Sequence, residues 1–375
     1  IIPGSPHVPA ADEQTVRRIE HYLSSHGTWA VRSWGVLLQA MDNLALAYRG
    51  RRFHQLSARQ QQDLMERWRQ NPALGPSLNF MGILYKLIHF DGDRVYARVG
   101  GKRESLAPEN AERWLKQMVP AEQWPEGEVI ECDVVVVGTG AGGAVVGREL
   151  AEKGYAVAFL EEGPYLRRHE YCRSVLGSNK QYYRNQLVTV GNTVIPIMVG
   201  KLVGGSTAVN TGTCLRPPDR VLHNWCKKLG CDDFSPDRMA PHFERVEQQL
   251  QVGPSDRKAI GPFAEVVARG CDRLGYSHYP IPRNAPGCTG EGFCIFGCTA
   301  EALRSTNVSY IPPALQRGSL ALTGARAAHL IVENHRAVGV QARSVESGKR
   351  IDVRARAVVL ACGAIPTPLL LMKQG

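Results

Sequence analysis

The sequence predicts an α/β protein: a Rossmann-like nucleotide-binding domain preceded by a helical extension. Three observations lead there. Residues 10–90 carry helical periodicity, residues 126–164 read as strand, glycine loop, helix and strand, and residues 320–364 read as a series of short strands.

In the N-terminal quarter, Val16, Ile19 and Leu23 repeat at helical spacing up to Gly27. Ser57 with Gln60 makes a capping box ahead of Leu64, Met65 and Trp68, and Asn71-Pro72 closes that helix. The apolar segment NFMGILYKLIHF (79–90) follows and leads into the turn DGDR. No cluster of reactive side chains occurs here, so this part reads as a helical extension packed against the main body. Its most apolar stretch, WGVLLQAMDNLALAY (34–48), contains Gln39, Asp42 and Asn43 and falls short of the roughly 20 apolar residues that span a bilayer. No signal peptide is visible. The chain begins with Ile1 rather than Met, so the expectation is a processed product or part of a longer one.

The 375 residues allow two or three domains. Lys and Arg total 45 against 35 Asp and Glu, a net charge of +10, but they are dispersed and form no basic run, which argues against a nucleic-acid partner. The ten Cys are scattered apart from one tight group and do not read as a disulfide framework. A reducing compartment is therefore expected, with the protein cytoplasmic or peripheral to a membrane.

The composition changes at residue 126. Val134 to Val137 form a β-branched run of the kind buried in a parallel sheet. Gly138-x-Gly140-x-x-Gly143 follows directly, with Gly142 inside it, then a helix ending at Lys153-Gly154, then a strand from Tyr155 to Leu160 closed by Glu161. This is the context in which the glycine pattern means dinucleotide binding. Gly138 allows the tight turn, Gly140 lets the backbone approach a pyrophosphate, and Gly143 lets helix and strand pack closely. Glu161 would accept hydrogen bonds from the adenosine ribose, and its charge disfavours the 2′-phosphate of NADP. These residues do not choose between NAD and FAD.

A second glycine-rich stretch, GKLVGGSTAVNTGT (200–213), makes that choice through a resemblance. Its run from Gly200 to Asn210 resembles at every position the first signature of the glucose–methanol–choline (GMC) family of flavoprotein oxidoreductases. The chain's end, GAIPTPLLLMKQG (363–375), is similar to the family's second signature: Gly363, Ala364, Thr367, Pro368, Leu370, Leu371 and Gly375 fit, while Gln374 stands where the family usually has Ser. The resemblance extends over roughly residues 130 to 375. It implies FAD, with Gly204 and Gly205 approaching the cofactor closely and Ser206, Thr207 and Asn210 offering it hydrogen bonds. Ala327 falls near the position that contacts adenine. Some members link the flavin through a His just before the matching Asn; Val209 stands there, so the flavin is expected to be non-covalent.

The resemblance also implies a domain plan: a helical extension over 1–128, an FAD-binding domain from 129–215 and 303–375, and part of an α+β substrate or cap domain over 216–302. The implied reaction is oxidation of an alcohol CH–OH group by hydride transfer to flavin N5. Long-chain alcohols or sterols are the expected substrates, and oxygen, a quinone or a cytochrome the expected acceptor. The family's general base lies beyond the second signature, so catalytic residues are expected C-terminal to Gly375. The alternatives are an FAD-binding fragment without turnover and a subunit like the sugar or gluconate dehydrogenases of the family.

The tight group is Cys288, Cys294 and Cys298, spaced C-x5-C-x3-C. Three thiolates suit an iron–sulfur cluster or zinc, with His278 available as a fourth zinc ligand, and equally suit plain structural thiols or a disulfide. The spacing is similar to that of certain sugar dehydrogenases of the family that hold a three-iron cluster.

Overall fold

The computed structural model describes residues 5, 8–98, 112–172, 174–183, 187–190 and 194–374. The chain forms two compact units, one from residues 1–104 with 174–176, the other from 105–173 with 177–375.

The first unit is helical: α1 (Glu13–Ser25), α2 (Thr28–Arg49), α3 (Ala58–Gln70), α4 (Gly75–Phe90) and α5 (Asp93–Arg98). Capping sets the helix starts. The Asp12 carboxylate accepts from the Thr15 N–H at 3.0 Å, and the Ser57 and Gln60 side chains each accept from the other's backbone N–H. Apolar residues at helical spacing then meet in a core of Ala45, Leu56, Leu64, Trp68 and Leu78. The expected DGDR turn is only half a turn, because Asp93 and Arg94 already begin α5. Among the described residues, no helix is long and apolar enough to cross a membrane.

The second unit is built on a seven-stranded sheet. Its chain order is β1 (Met118–Pro120), β2 (Ile130–Val137), α6 (Ala141–Glu152), β3 (Val157–Glu161), then a two-stranded ribbon of β4 (Leu187–Val190) and β5 (Val194–Ile197). Helices α7 (Asp219–Leu229), α8 (Pro236–Gln249) and α9 (Pro262–Leu274) follow, with a short ribbon pairing β6 (Gly253–Pro254) to β7 (Pro282–Arg283). After α10 (Thr306–Ser309) and α11 (Ile311–Gln316), the chain returns to the sheet as β8 (Leu320–Thr323), β9 (Ala325–Glu333), β10 (Arg336–Ser344) and β11 (Arg350–Leu360), and then forms α12 (Pro366–Met372).

The sheet order is β1-β8-β3-β2-β11-β10-β9. Its first five strands are parallel, and β11, β10 and β9 form an antiparallel meander at the far edge. The apolar run in β2 lacks alternation because both of its faces are covered. Val134 and Val136 pack with Ala144, Phe159, Ile311 and Leu315, while Val135 and Val137 pack with Leu160, Leu322, Val340 and Val353. The parallel-dominated α/β architecture is the one the sequence predicts.

Two element boundaries differ from expectation for local reasons. The second strand starts at Val157, not Tyr155, since the Tyr155 N–H closes the end of α6 by donating to the Leu150 carbonyl at 3.1 Å. The last of the strands expected over 320–364 is not short: Arg350–Leu360 runs unbroken as β11, since no Gly, Pro or Asn interrupts it, and its exposed Arg356 pairs with Asp133 on β2 at 3.1 Å.

Candidate functional site

The glycine loop leaves β2 at its carboxyl end, where β3 and β11 also end. Gly138 sits at φ +101°, and a Cβ there would lie 2.4 Å from the Ala361 carbonyl oxygen at the end of β11. Both facts require glycine. Gly140 is the N-cap of α6, and no acidic residue occupies that helix's first turn, so its unpaired N–H groups carry partial positive charge toward the space in front of them.

That space is a cleft of about 660 Å³, within the ~300–1,000 Å³ range of small-molecule sites. It lies at the carboxyl ends of parallel strands, where open α/β sheets bind their ligands. Of the residues singled out from sequence, Gly138, Gly140, Gly142, Glu161, Gly205, Ser206, Thr207 and Ala327 line it. The others lie elsewhere. Gly143 is buried under the start of α6, and Gly204 is buried at φ +100° with its N–H on the Thr139 hydroxyl at 3.1 Å. Asn210 is exposed, and its Oδ1 accepts from the Gly212 N–H at 2.7 Å.

The two glycine loops form facing walls. A Cβ on Gly205 would lie 3.0 Å from the Gly140 Cα, so the second loop has no room for bulk at that point. Residues given no ligand role from the sequence complete the cleft: Lys201, Glu162, His329, the turn Ala361–Gly363 after β11, Leu370 of α12 and Lys373 just beyond it. The signal for the turn and helix was the second signature itself. Its first glycine, Gly363, has φ +106° and ends the wall.

Glu161 is buried at the cleft floor. Its Oε2 accepts from the Thr139 N–H at 3.0 Å and from the Thr139 hydroxyl at 2.6 Å, and its Oε1 accepts from the Gly163 N–H at 2.9 Å. Burial pushes its carboxyl above the ordinary 4.5, and these three donors pull it only part of the way back. A carboxyl raised on folding contributes stability that is complete below the unfolded value and is lost as pH rises through the folded one. Glu161→Gln should flatten that part of the stability profile. It should also lower stability at every pH by about 1–3 kcal/mol, since one amide oxygen cannot serve two backbone donors on opposite sides and one N–H is left unpaired. Thermal melts of both proteins between pH 4 and pH 8 check this; a variant as stable as the parent throughout would show that the carboxylate is not needed.

Two of the three cysteines lie against Arg283. The guanidinium Nη2 lies 3.1 Å from Cys294 Sγ and Nη1 lies 3.9 Å from Cys288 Sγ, while Nε donates to the Thr211 carbonyl at 2.9 Å. Cys298 Sγ accepts from the Leu303 N–H at 3.4 Å, and burial pushes its thiol up. Cys288, Cys294 and Cys298 are not joined by disulfides. His278 pairs instead with Asp272 at 2.8 Å. Among the described residues, no group of three or more His, Cys, Asp or Glu is arranged to hold a metal.

Comparison with known proteins agrees with this geometry. A family model described as GMC oxidoreductase matches residues 132–375. The chain is 38% identical over 251 residues to an uncharacterised GMC-type oxidoreductase of Mycobacterium tuberculosis, covering 66% of this chain and 40% of that one. It is 32% identical over 259 residues to a long-chain-alcohol oxidase of Arabidopsis thaliana, covering 66% of this chain and 34% of that one. The chain thus matches less than half the length of these relatives. In fold it is similar to pyridoxine 4-oxidase from Mesorbium loti, with a TM-score of 0.51 and 18% identity over 65% of this chain and 52% of that one. On the strength of the matched model, which takes in well over half of its residues, the chain belongs to the GMC oxidoreductase family.

Proposed function

We propose that this chain supplies the FAD-binding part of an oxidoreductase that acts on the CH–OH group of long-chain alcohols or sterols. The observation that carries the proposal is the cleft between two glycine loops at the carboxyl ends of β2, β3 and β11. The N–H groups of Ala141 and Gly142, at the start of α6, would hold the diphosphate, with the Lys201 and Lys373 ammonium groups balancing its charge. Gly205 and Gly140 leave the backbone open to close approach, and the Ala325–His329 segment of β9 would face the adenosine. When bound, FAD would supply the hydride acceptor for alcohol oxidation. The alcohol class rests on the similarity to a long-chain-alcohol oxidase.

A non-covalent flavin is favoured by Val209. It is buried among Tyr171, Tyr182, Leu202 and Ala208 and offers no atom for a link. The three cysteines stay outside this reading, since Arg283 already donates to two of the sulfurs. The protein loaded with FAD should show flavin absorbance, and acid precipitation should leave all of that flavin in the supernatant. Flavin that stays with the denatured chain would refute the non-covalent assignment, and a protein that takes up no FAD would refute the whole proposal. Anaerobic addition of a long-chain alcohol to the holoprotein, followed by flavin bleaching, tests the reaction class.

A further inference from the structure

Two threonines tie the glycine loops together from behind the cleft. Thr139, between Gly138 and Gly140, has no exposed surface. Its N–H and hydroxyl donate to Glu161, its hydroxyl oxygen accepts from the Gly204 N–H at 3.1 Å, and its carbonyl accepts from the Thr306 hydroxyl at 2.9 Å. Thr306, the first residue of α10, is also buried and is not among the residues lining the cleft. Its N–H donates to Thr207 Oγ1 at 3.0 Å, and that hydroxyl in turn donates a hydrogen bond to the Gly204 carbonyl at 2.6 Å. The Thr306 hydroxyl also lies 3.3 Å from the Gly204 carbonyl oxygen and 3.0 Å from Thr207 Oγ1, so it reaches both loops. Three segments far apart in sequence meet here: the first glycine loop, the second, and the start of α10.

We propose that Thr139 and Thr306 are positioning residues that hold the second glycine loop at a fixed distance from the first, so that the cleft is preformed for the diphosphate. The inference rests on the FAD reading above. Without these bonds the second loop would have to be ordered when the ligand arrives, and that ordering would be subtracted from affinity. Valine has nearly the shape of threonine but neither donates nor accepts. Valine at 306 leaves the Thr139 carbonyl without this partner, and valine at 139 leaves the Gly204 N–H without its acceptor.

The test titrates flavin-free protein with FAD and follows quenching of flavin fluorescence, alongside the melting temperature of each flavin-free variant. Thr306→Val and Thr139→Val should each bind FAD at least about tenfold more weakly, which is ~1.4 kcal/mol. Thr306→Ser and Thr139→Ser, which keep the hydroxyl, should stay within about threefold of the parent. Should a valine variant fail to fold, alanine at the same position takes its place in the comparison with serine. Valine variants that bind FAD like the parent overturn the inference and leave the FAD reading intact. Serine variants as weak as valine would also overturn it, since packing rather than hydrogen bonding would then be responsible. A parent protein that does not bind FAD overturns both.

Discussion

Gly140→Val is expected to abolish flavin retention while leaving the fold in place. Gly140 has φ −71°, a conformation open to any residue, and a Cβ there would meet only the Gly205 Cα, at an ordinary 3.9 Å. The backbone therefore tolerates a side chain. Valine at the N-cap of α6 costs at most about 1 kcal/mol relative to glycine. Its methyl groups, however, would enter the narrow space between the two glycine loops, where the diphosphate is proposed to lie. FAD affinity should fall at least about a hundredfold, or ~2.7 kcal/mol. The ratio of flavin to protein absorbance, with circular dichroism as the check on folding, reads both effects; normal flavin content in the purified variant would sink the assignment of this loop.

Gly143→Ala should do the reverse and damage the fold itself. On helix propensity alone alanine would stabilise α6 by about 1 kcal/mol. Here the added Cβ would lie 2.0 Å from the Gly138 carbonyl oxygen, 3.0 Å from Val136 Cγ1 and 3.1 Å from the Ala361 Cβ. Backbone and buried strand atoms cannot swing aside as a surface side chain would, so α6 must lift from the sheet. The expected loss is about 3 kcal/mol or more, a large share of the ~5–15 kcal/mol that a domain has in total. The neighbouring Gly142→Ala is the control, since a Cβ there meets nothing within 4 Å. Denaturant midpoints that fall for Gly143→Ala and hold for Gly142→Ala would match this account. Equal midpoints would mean that the helix and strand are not so closely packed.

What could be read in the sequence is what is encoded locally. The β2–α6–β3 unit was legible because the valine run and the glycine spacing act within about thirty residues, and the position of Glu161 follows from the same spacing. The second glycine loop was legible only through its resemblance to a family signature, since glycine and serine alone equally describe a surface turn. Thr139 and Thr306 were not legible at all. A threonine inside a glycine loop and another after an irregular segment carry no local pattern, and their meaning arises when segments 65 and 167 residues apart meet. Asn210 shows the opposite limit: its residue type suits a ligand contact, yet its side chain is engaged with its own turn at Gly212. The start of β3 was misplaced because a hydrogen bond back to α6 competed for the Tyr155 N–H.

The order of strands in the sheet also bears on how the chain reaches this fold. β9, β10 and β11 follow one another in sequence and pair as a meander, so their contacts close short loops. β3 and β8 lie side by side, yet the whole excursion from 162 to 319 separates them. Closing a loop of that length costs entropy before any hydrogen bond or buried side chain offsets it. The meander alone can thus assemble early, while the β2–β11 and β3–β8 seams both close across long stretches of chain. Glu161 and Thr323 end the β3–β8 seam as paired residues, and β2 and β11 end beside them, so the cleft floor is complete only when both long-range seams have closed.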